Sequence, residues 1–301
     1  MLFIGGLGRN GSTLVNRVLG QTPGVVAVGE LVFLWERGLV QGERCGCGRP
    51  FRKCPFWSEV GERAFGGWDR LDVASIRRLQ HAVDRNRYIP LMRWPWLSSR
   101  YRRRLGRYAS VLRRVYEAIA ATSGAELIAD SSKHASTAAL LSRVPGVEAT
   151  VVQLVRDPHG VAWSWSKRVP RPEATTGSSE MARLGPVRVA LRWQACNLLL
   201  GFLRSRGPSV LRYEDFADRP AHAARRLLAG AGMPGPFLPQ FVGERTVKLA
   251  TDHTVAGNPL RFATGELEIR ADEEWRVSMP RRRRMLVTAA AFPRSIRYRY
   301  P

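Results

Sequence analysis

A glycine-rich turn near the N-terminus carries residues that could hold a phosphate-like anion. The stretch FIGGLGRNGSTLV begins at residue 3, and its pattern predicts a short strand, a turn and a helix that begins at Ser12. Such a turn aims backbone N–H groups and the positive end of the helix at one point. The spacing from Gly6 to Gly11 matches the phosphate-binding loop G-x-x-x-x-G-K-[ST], but Ser12 replaces the lysine and Arg9 supplies a cation earlier. Anion binding without the usual lysine contact is therefore predicted, and a tight β–α turn without a ligand is the alternative.

A second group of candidate residues follows a buried strand in the middle of the chain. Arg156 stands at the carboxyl end of this strand, which is where open parallel sheets bind ligands. Asp157 can cap the next helix, and Pro158 suits its first position. Ser164 lies about two helical turns further on. The alternative to a ligand site is a surface arginine that pairs with Asp157.

Alternating strands and helices predict the scaffold that positions these loops. The alternation indicates a three-layer α/β fold of the P-loop type, with a central parallel sheet flanked by helices. One domain is expected over residues 1–301, with a helical insertion at about 42–124 that begins with a cysteine loop, and a lid at 170–179. The predicted strands are Leu2–Gly6, Val25–Val28, Glu126–Ala129, Ala149–Val155 and Ser209–Arg212. The predicted helices are Ser12–Gly20, Glu30–Gly38, Ser132–Ser142, Pro158–Arg168, Arg183–Arg206, Pro220–Ala231 and Arg281–Ala291.

The strong positive charge is a weak guide to a partner. The formal net charge is +23, but only four of the 48 basic residues are lysines, a bias that fits codon usage in a GC-rich genome. A basic nucleic-acid-binding protein stays open as an alternative, although no motif supports a specific nucleic-acid partner. Met1 leads directly into a strand and no apolar run reaches about 18 residues, so we expect a cytoplasmic protein without a signal peptide or transmembrane segment.

Three of the four cysteines lie close together in the sequence. They are Cys45, Cys47 and Cys54, whereas Cys196 is distant. Structural zinc sites need four ligands and usually show C-x₂₋₄-C spacing. Here the first gap is one residue and no histidine is near in the sequence, so a loop with reduced thiols is preferred and no metal is expected. Bound zinc and a disulfide within the loop remain alternatives.

Together the two anion-binding segments resemble the sulfotransferase family, which uses 3′-phosphoadenosine-5′-phosphosulfate (PAPS). The matching patterns are G-x-x-R-x-G-S-T-L from Gly6 and L-V-R-D-P-x-G-V-A-x-S-x-x-K-R from Leu154. The resemblance implies that PAPS is the co-substrate and that 3′-phosphoadenosine-5′-phosphate (PAP) is released. It also implies that Arg156 and Ser164 hold the 3′-phosphate. The residues that it assigns to the 5′-phosphosulfate are Arg9, Asn10, Gly11, Ser12 and Thr13.

Three further segments extend the resemblance over most of the chain. The motif RYEDF places Tyr213 where the family has a tyrosine near the adenine. The stretch HTVAGNPLRF is similar to a late loop of bacterial members that closes over the nucleotide, which makes Asn258 and Arg261 candidate ligands. The cysteine segment also resembles a recurring feature of those members. The RKGxxGxWK loop and the catalytic histidine of cytosolic hormone-type enzymes are not recognisable. The chain therefore resembles the carbohydrate, tyrosyl-protein and bacterial natural-product branches more closely.

Sulfuryl transfer needs cations at the donor and a base for the acceptor hydroxyl. The reaction depends mostly on positioning and electrostatic stabilisation. Arg9 and Lys133, the latter just beyond a predicted strand, are the candidate cations. Glu30 follows the second strand and resembles the glutamate that serves as the base in some members. A glutamate that only stabilises a helix start is the alternative for Glu30, and His134 and His253 are the alternative bases.

The predicted function is therefore sulfuryl transfer from PAPS to a hydroxyl of a small-molecule, glycan or natural-product acceptor. The acceptor itself is not indicated, and a homodimer is left open as the oligomeric state. A P-loop kinase is the main rival, because Asp130 after a predicted strand could imitate a metal-binding aspartate. The missing P-loop lysine argues against that rival.

Overall fold

A computed structural model of the chain describes residues 1–171, 180–203, 210–235 and 239–300. Its centre is a five-stranded sheet, and every neighbouring pair of strands in it is parallel. The predicted α/β fold with a central parallel sheet is thus confirmed. The strands, in the spatial order β2-β3-β1-β4-β5, are β1 (Leu2–Gly5), β2 (Val25–Gly29), β3 (Leu127–Lys133), β4 (Thr150–Val155) and β5 (Val210–Arg212).

Helices cover both faces of the sheet because β1 is apolar on both faces. Leu2 and Ile4 pack on one face and Phe3 on the other, in the period-2 alternation of a strand. The helices are α1 (Ser12–Leu19), α2 (Pro55–Phe65), α3 (Val73–Val83), α4 (Ile89–Arg93), α5 (Ser99–Ser123), α6 (Ala135–Leu141), α7 (Pro158–Ser166), α8 (Pro186–Leu203), α9 (Tyr213–Asp218), α10 (Pro220–Gly230), α11 (Trp275–Ser278), α12 (Arg281–Ala291) and α13 (Arg294–Arg297).

Three hydrophobic clusters form the interior of the described part of the chain. Leu2 and Ile4 share one cluster with α1, α9 and α10, and Phe3 shares another with the helices of the 42–124 segment. The third cluster joins α7, α8 and α12. In the 42–124 segment, which is described throughout, the helices α2 to α5 follow the cysteine loop, whose only strand-like feature is a bridge between Arg44 and Pro50. A single domain over the whole chain stays a prediction.

Two predicted helices differ from those in the structure, one in its first residue and the other in its helix type. The helix predicted at Ser132–Ser142 begins only at Ala135, because β3 continues to Lys133, whose carbonyl accepts a hydrogen bond from Gly6 (3.0 Å). The helix predicted at Glu30–Gly38 is a 3₁₀ turn over Leu31–Phe33 and a π-helix over Leu34–Val40. Its backbone is held by distant side chains: Val32 N–H donates to Ser132 Oγ (2.9 Å) and Val32 C=O accepts from Gln80 (2.8 Å). Such tertiary partners are invisible to local periodicity.

The C-terminal third contains an antiparallel hairpin that the sequence did not predict. Its strands are β6 (Thr246–Leu249) and β7 (Gly265–Glu268). The segment between them, residues 250–264, folds back over α1, where buried Arg17 donates to the carbonyls of Ala250 (2.5 Å) and Leu260 (3.0 Å). The predicted lid lies outside the described residues except at its first two positions. Among the described helices, none has the length and hydropathy of a membrane span.

Candidate active site

Each strand of the parallel sheet delivers one candidate residue to the same cavity. Arg9 follows β1, Glu30 follows β2, Lys133 ends β3, Arg156 follows β4 and Tyr213 follows β5. All five line a cavity of about 750 Å³ along the carboxyl edge of the sheet. This is where parallel sheets bind ligands, because the strand order switches there on either side of β1.

The loop between β1 and α1 has the backbone of an anion-binding turn. Arg9 (φ 73°) and Gly11 (φ 91°) adopt left-handed conformations. A side chain at Gly11 would place its Cβ 2.3 Å from the ring of Tyr213, so only glycine fits. The side chain of Asn10 braces the loop, since it donates to Leu154 C=O (2.9 Å) and accepts from Ser12 N–H (3.2 Å). We therefore expect the side chain of Asn10 to hold the loop in shape, and only its backbone to contact a bound anion.

Two buried polar groups of this loop have no hydrogen-bond partner among the described residues. They are Nη2 of Arg9 and Oγ of Ser12. Burial lowers the pKa of Arg9, an effect that the charge of Glu30 opposes. Oγ1 of Thr13 accepts a hydrogen bond from the backbone N–H of Asn258 (3.3 Å) and keeps its own proton to donate. Because a buried unpaired donor costs about 1–3 kcal/mol, this arrangement favours an anion in the cavity.

The predicted base and the predicted second cation form one ion pair. Nζ of Lys133 contacts Oε1 of Glu30, and both side chains are nearly buried. Lys133 adopts a left-handed conformation (φ 69°) at the end of β3. Glu30 is fixed through its backbone, because its N–H donates to Val255 C=O (2.7 Å). Glu30 stands at the start of the 3₁₀ turn, but its side chain makes no capping hydrogen bond there and is paired with Lys133 instead.

Of the two histidines that were alternative bases, only His134 lines the cavity. His134 lines the cavity and packs edge-on against Phe33, with ring centroids 5.9 Å apart. Burial lowers the pKa of His134, so its imidazole is neutral near pH 7 and can accept a proton. His253 does not line the cavity, and its Nδ1 lies 3.2 Å from Sγ of Cys54. His134 therefore remains the alternative to Glu30 as the base, and His253 does not.

Arg156 is engaged by Asp272 and not by Asp157. Its guanidinium donates to Arg9 C=O (3.2 Å), to Asp272 C=O (3.0 Å) and to Oδ2 of Asp272 (3.1 Å), and it lies 4.9 Å from the ring centroid of Tyr213. Asp157 instead caps α7 by accepting from His159 N–H (2.8 Å), as its position predicts. The pairing of Arg156 with Asp157, the alternative to a ligand site, is therefore wrong.

A carboxylate stands at the predicted 3′-phosphate site. Burial works to raise the pKa of Asp272, but the charge and hydrogen bond of Arg156 hold it below its ordinary value. Asp272 is therefore an anion at neutral pH, next to the arginine that was assigned to a phosphate. Ser164, the other residue assigned to that phosphate, lines the same cavity from α7.

The late segment, which is the stretch HTVAGNPLRF at residues 253–262, contributes one of its two candidate nucleotide ligands to the cavity. Asn258 lines the cavity, and its side chain accepts from Leu260 N–H (3.0 Å) and so caps a short 3₁₀ turn. Arg261 is buried outside the cavity lining and donates to the carbonyls of Thr254 (3.1 Å) and Arg44 (2.8 Å). Through these contacts Arg261 joins the late segment to the cysteine loop. We therefore do not retain Arg261 as a candidate nucleotide ligand.

Asp130, the residue that suggested a kinase, is part of the interior. Its carboxylate is fully buried and accepts from Ser132 N–H (2.7 Å) and from the hydroxyl of Tyr116 (2.7 Å). Burial raises the pKa of Asp130. Asp130 therefore braces the turn before Lys133, and it is not among the residues that line the cavity.

Sequence reasoning missed several residues of the cavity, and two of them lie next to predicted site residues. Trp165 lies beside Ser164 and donates to Gly8 C=O (2.9 Å), and the guanidinium of Arg9 lies 5.7 Å from its ring centroid. Its place within the motif that contains Ser164 was an available signal. Asp272 lies in the stretch RADEE, where several acidic residues are equivalent by sequence, so no local signal marks it.

Comparisons with known proteins agree with this architecture. The family model described as "Sulfotransferase family" matches residues 2–237. The chain is 30% identical over 161 residues to carbohydrate sulfotransferase 3 of Mus musculus, a match that covers 50% of this chain and 33% of that protein. The chain thus spans about a third of the length of this curated relative. No solved structure matches the chain.

Proposed function

This chain belongs to the sulfotransferase family, and from that membership we propose that it transfers a sulfuryl group from PAPS to an acceptor hydroxyl, releasing PAP. The proposal is supported by one observation above all: two anion-binding groups face the same cavity. Arg9 and Ser12 offer unpaired donors at the loop after β1, and Arg156 and Ser164 line the cavity from the β4 side. The two groups follow the neighbouring strands β1 and β4, so a single ligand with two phosphate groups would contact both.

In this proposal the 5′-phosphosulfate lies against the loop after β1 and the 3′-phosphate lies against Arg156. The positive end of α1 and the amides of Gly11 to Thr13 would hold the first group. The 3′-phosphate would replace the carboxylate of Asp272 as the partner of Arg156, since both are anions that accept charge-assisted hydrogen bonds. Tyr213 would lie near the adenine, as the family resemblance implies.

The transfer itself would use the Glu30–Lys133 pair. The acceptor oxygen attacks the sulfur, the bond from sulfur to the 5′-phosphate oxygen breaks, and its electron pair leaves with PAP. Glu30 accepts the hydroxyl proton during the attack. Arg9 and Lys133 stabilise the negative charge that develops on the bridging oxygen. Because Lys133 holds the Glu30 carboxylate in the cavity, these two residues would act as a unit.

The acceptor is proposed to bind beside Glu30. Phe33 and Arg37 line the cavity there, with the guanidinium of Arg37 4.6 Å from the ring centroid of Phe33. An aromatic ring with polar neighbours suits the mixed faces of a sugar or of a hydroxylated natural product. A glycan acceptor is also the choice that the name of the mouse relative suggests.

A thermal-shift screen tests the proposed donor. Ligand at about one hundred times its dissociation constant should stabilise the fold by about 2.7 kcal/mol. We expect PAP to reach this shift at low concentration, ATP to act weakly, and single-stranded oligonucleotides to act only at low salt. Equal shifts from PAP and ATP would remove the 3′-phosphate assignment. A larger shift from oligonucleotides at physiological salt would favour the nucleic-acid-binding alternative.

A further inference from the structure

Four metal-ligating side chains meet outside the cavity. They are Cys45, Cys47 and Cys54 of the cysteine loop and His253 of the late segment. Their ligand atoms all lie within 4.8 Å of one another, although His253 is 199 residues from Cys54 in the sequence. The sequence argued against zinc because no histidine is near the cysteines, and the fold supplies one.

The distances within this Cys₃His cluster suit a tetrahedral metal. With Zn–S bonds of about 2.3 Å and a Zn–N bond of about 2.0–2.1 Å, tetrahedral angles put ligand atoms about 3.5–3.8 Å apart. Sγ of Cys47 and Sγ of Cys54 are 3.7 Å apart. Nδ1 of His253 is 3.7 Å from Sγ of Cys45 and 3.2 Å from Sγ of Cys54. Small shifts would bring every pair to the spacing of a bound ion.

The surroundings of the cluster hold His253 in place. The imidazole ring of His253 stacks on the ring of Phe56, with centroids 4.9 Å apart. The backbone carbonyl of His253 accepts a hydrogen bond from the indole N–H of Trp57 (2.8 Å). Such outer contacts orient metal ligands and are a recurring part of metal sites.

We propose that Cys45, Cys47, Cys54 and His253 bind one structural Zn²⁺ ion. Three thiolates and one imidazole form a complete tetrahedral set, which leaves no open position for a substrate and is typical of structural zinc. A disulfide between Cys47 and Cys54 would use two of the thiols and leave the convergence of Cys45 and His253 without a role. The proposal concerns the fold, and it holds whether or not the chain transfers sulfate.

The ion would fasten the late segment to the cysteine loop. Gly46 N–H already donates to Thr254 C=O (3.0 Å), and the next residue, Val255, pairs with Gly29 beside Glu30. Further along, Asn258 N–H donates to Thr13 of the anion-binding loop. A metal at His253 would thus anchor a segment that borders both Glu30 and Thr13.

Metal content of the full chain, purified with a reductant and without chelators, tests the proposal. We expect about one zinc ion per chain by inductively coupled plasma mass spectrometry. The Cys47→Ser variant, changed at a partly exposed ligand, should lose most of this zinc. The Cys196→Ser variant is the matched control and should keep it. The His253→Cys variant should also keep it, because four thiolates bind zinc well.

Cobalt provides a second readout, which begins with the spectrum of the wild-type chain itself. The wild-type chain, loaded with Co²⁺ in place of zinc, should show the charge-transfer absorption of thiolate–cobalt bonds, and Cys47→Ser should show much less. A wild-type protein that is folded by circular dichroism and contains no zinc would overturn the proposal. So would a Cys47–Cys54 disulfide found by mass spectrometry in the freshly purified protein, or equal zinc in Cys47→Ser and Cys196→Ser. None of these results depends on PAP binding or on activity.

Discussion

Replacing Asp272 with asparagine should strengthen the binding of PAP. In the structure the carboxylate of Asp272 lies 3.1 Å from Nη2 of Arg156, in the place that we propose for the 3′-phosphate. PAP must displace this carboxylate, and the carboxylate also repels the incoming phosphate. The Asp272→Asn change removes both costs and keeps the shape and the backbone carbonyl that accepts from Arg156.

The expected gain is modest because Asp272 is partly exposed. Ion pairs of this kind contribute up to about 1 kcal/mol, which corresponds to a gain of up to about fivefold in affinity. Arg156→Ala acts in the opposite direction. A hydrogen bond to a charged group contributes about 1.5–3 kcal/mol, so this variant should weaken PAP binding by about tenfold to 150-fold. The gain from Asp272→Asn should shrink in the Arg156→Ala background, since the two residues contact each other.

Isothermal titration calorimetry with PAP and with adenosine 5′-phosphate measures these effects. The second ligand lacks the 3′-phosphate and is the control, so its affinity should be nearly the same in all variants. Unchanged PAP affinity in Arg156→Ala, or weaker PAP binding in Asp272→Asn, would refute the placement of the 3′-phosphate. Equal losses for both ligands would show that Arg156 acts on the loop through the carbonyl of Arg9.

Three further substitutions test the other parts of the site. Glu30→Gln should lower turnover by about a hundredfold to ten-thousandfold, with PAP affinity near wild type in calorimetry; near-normal turnover would instead direct attention to His134. Arg9→Ala should lower turnover and weaken PAPS binding, each by about tenfold or more in steady-state kinetics, and an effect on only one of them would contradict its proposed contact with the phosphosulfate. Gly11→Ala should weaken PAP binding by at least about tenfold in calorimetry, because its Cβ would meet the ring of Tyr213 at 2.3 Å; wild-type affinity would mean that this loop is not the nucleotide site.

The sequence predicted the sheet well because its signals are local. Short apolar runs marked all five parallel strands to within a few residues, and Asp157 and Pro158 marked the start of α7. The errors fall where distant groups decide the structure. The turn after Glu30 is held by Ser132 and Gln80, and local periodicity cannot show either contact. The β6–β7 hairpin is short and largely polar on its second strand, so its pattern is weak.

The candidate site was predictable for residues that follow strands, since parallel strands end at one edge. Arg9, Glu30, Lys133, Arg156 and Tyr213 all follow this rule, and the structure brings them together. The partners of these residues were not predictable. The Glu30–Lys133 pair joins residues 103 positions apart, and Asp272 reaches Arg156 from the far end of the chain. For the same reason the sequence did not predict that His253 lies beside the three cysteines, because this contact depends on the tertiary fold.

Sulfate transfer measured directly is the decisive measurement for the proposed activity. The full chain is incubated with sulfur-labelled PAPS and a panel of sugars, phenols and lipids bearing hydroxyl groups, in buffer without Mg²⁺. We predict label on at least one acceptor together with release of PAP, and loss of that transfer in Glu30→Gln. Transfer of label from the γ-phosphate of ATP in the presence of Mg²⁺, with none from PAPS, would contradict the proposal and identify the chain as a kinase.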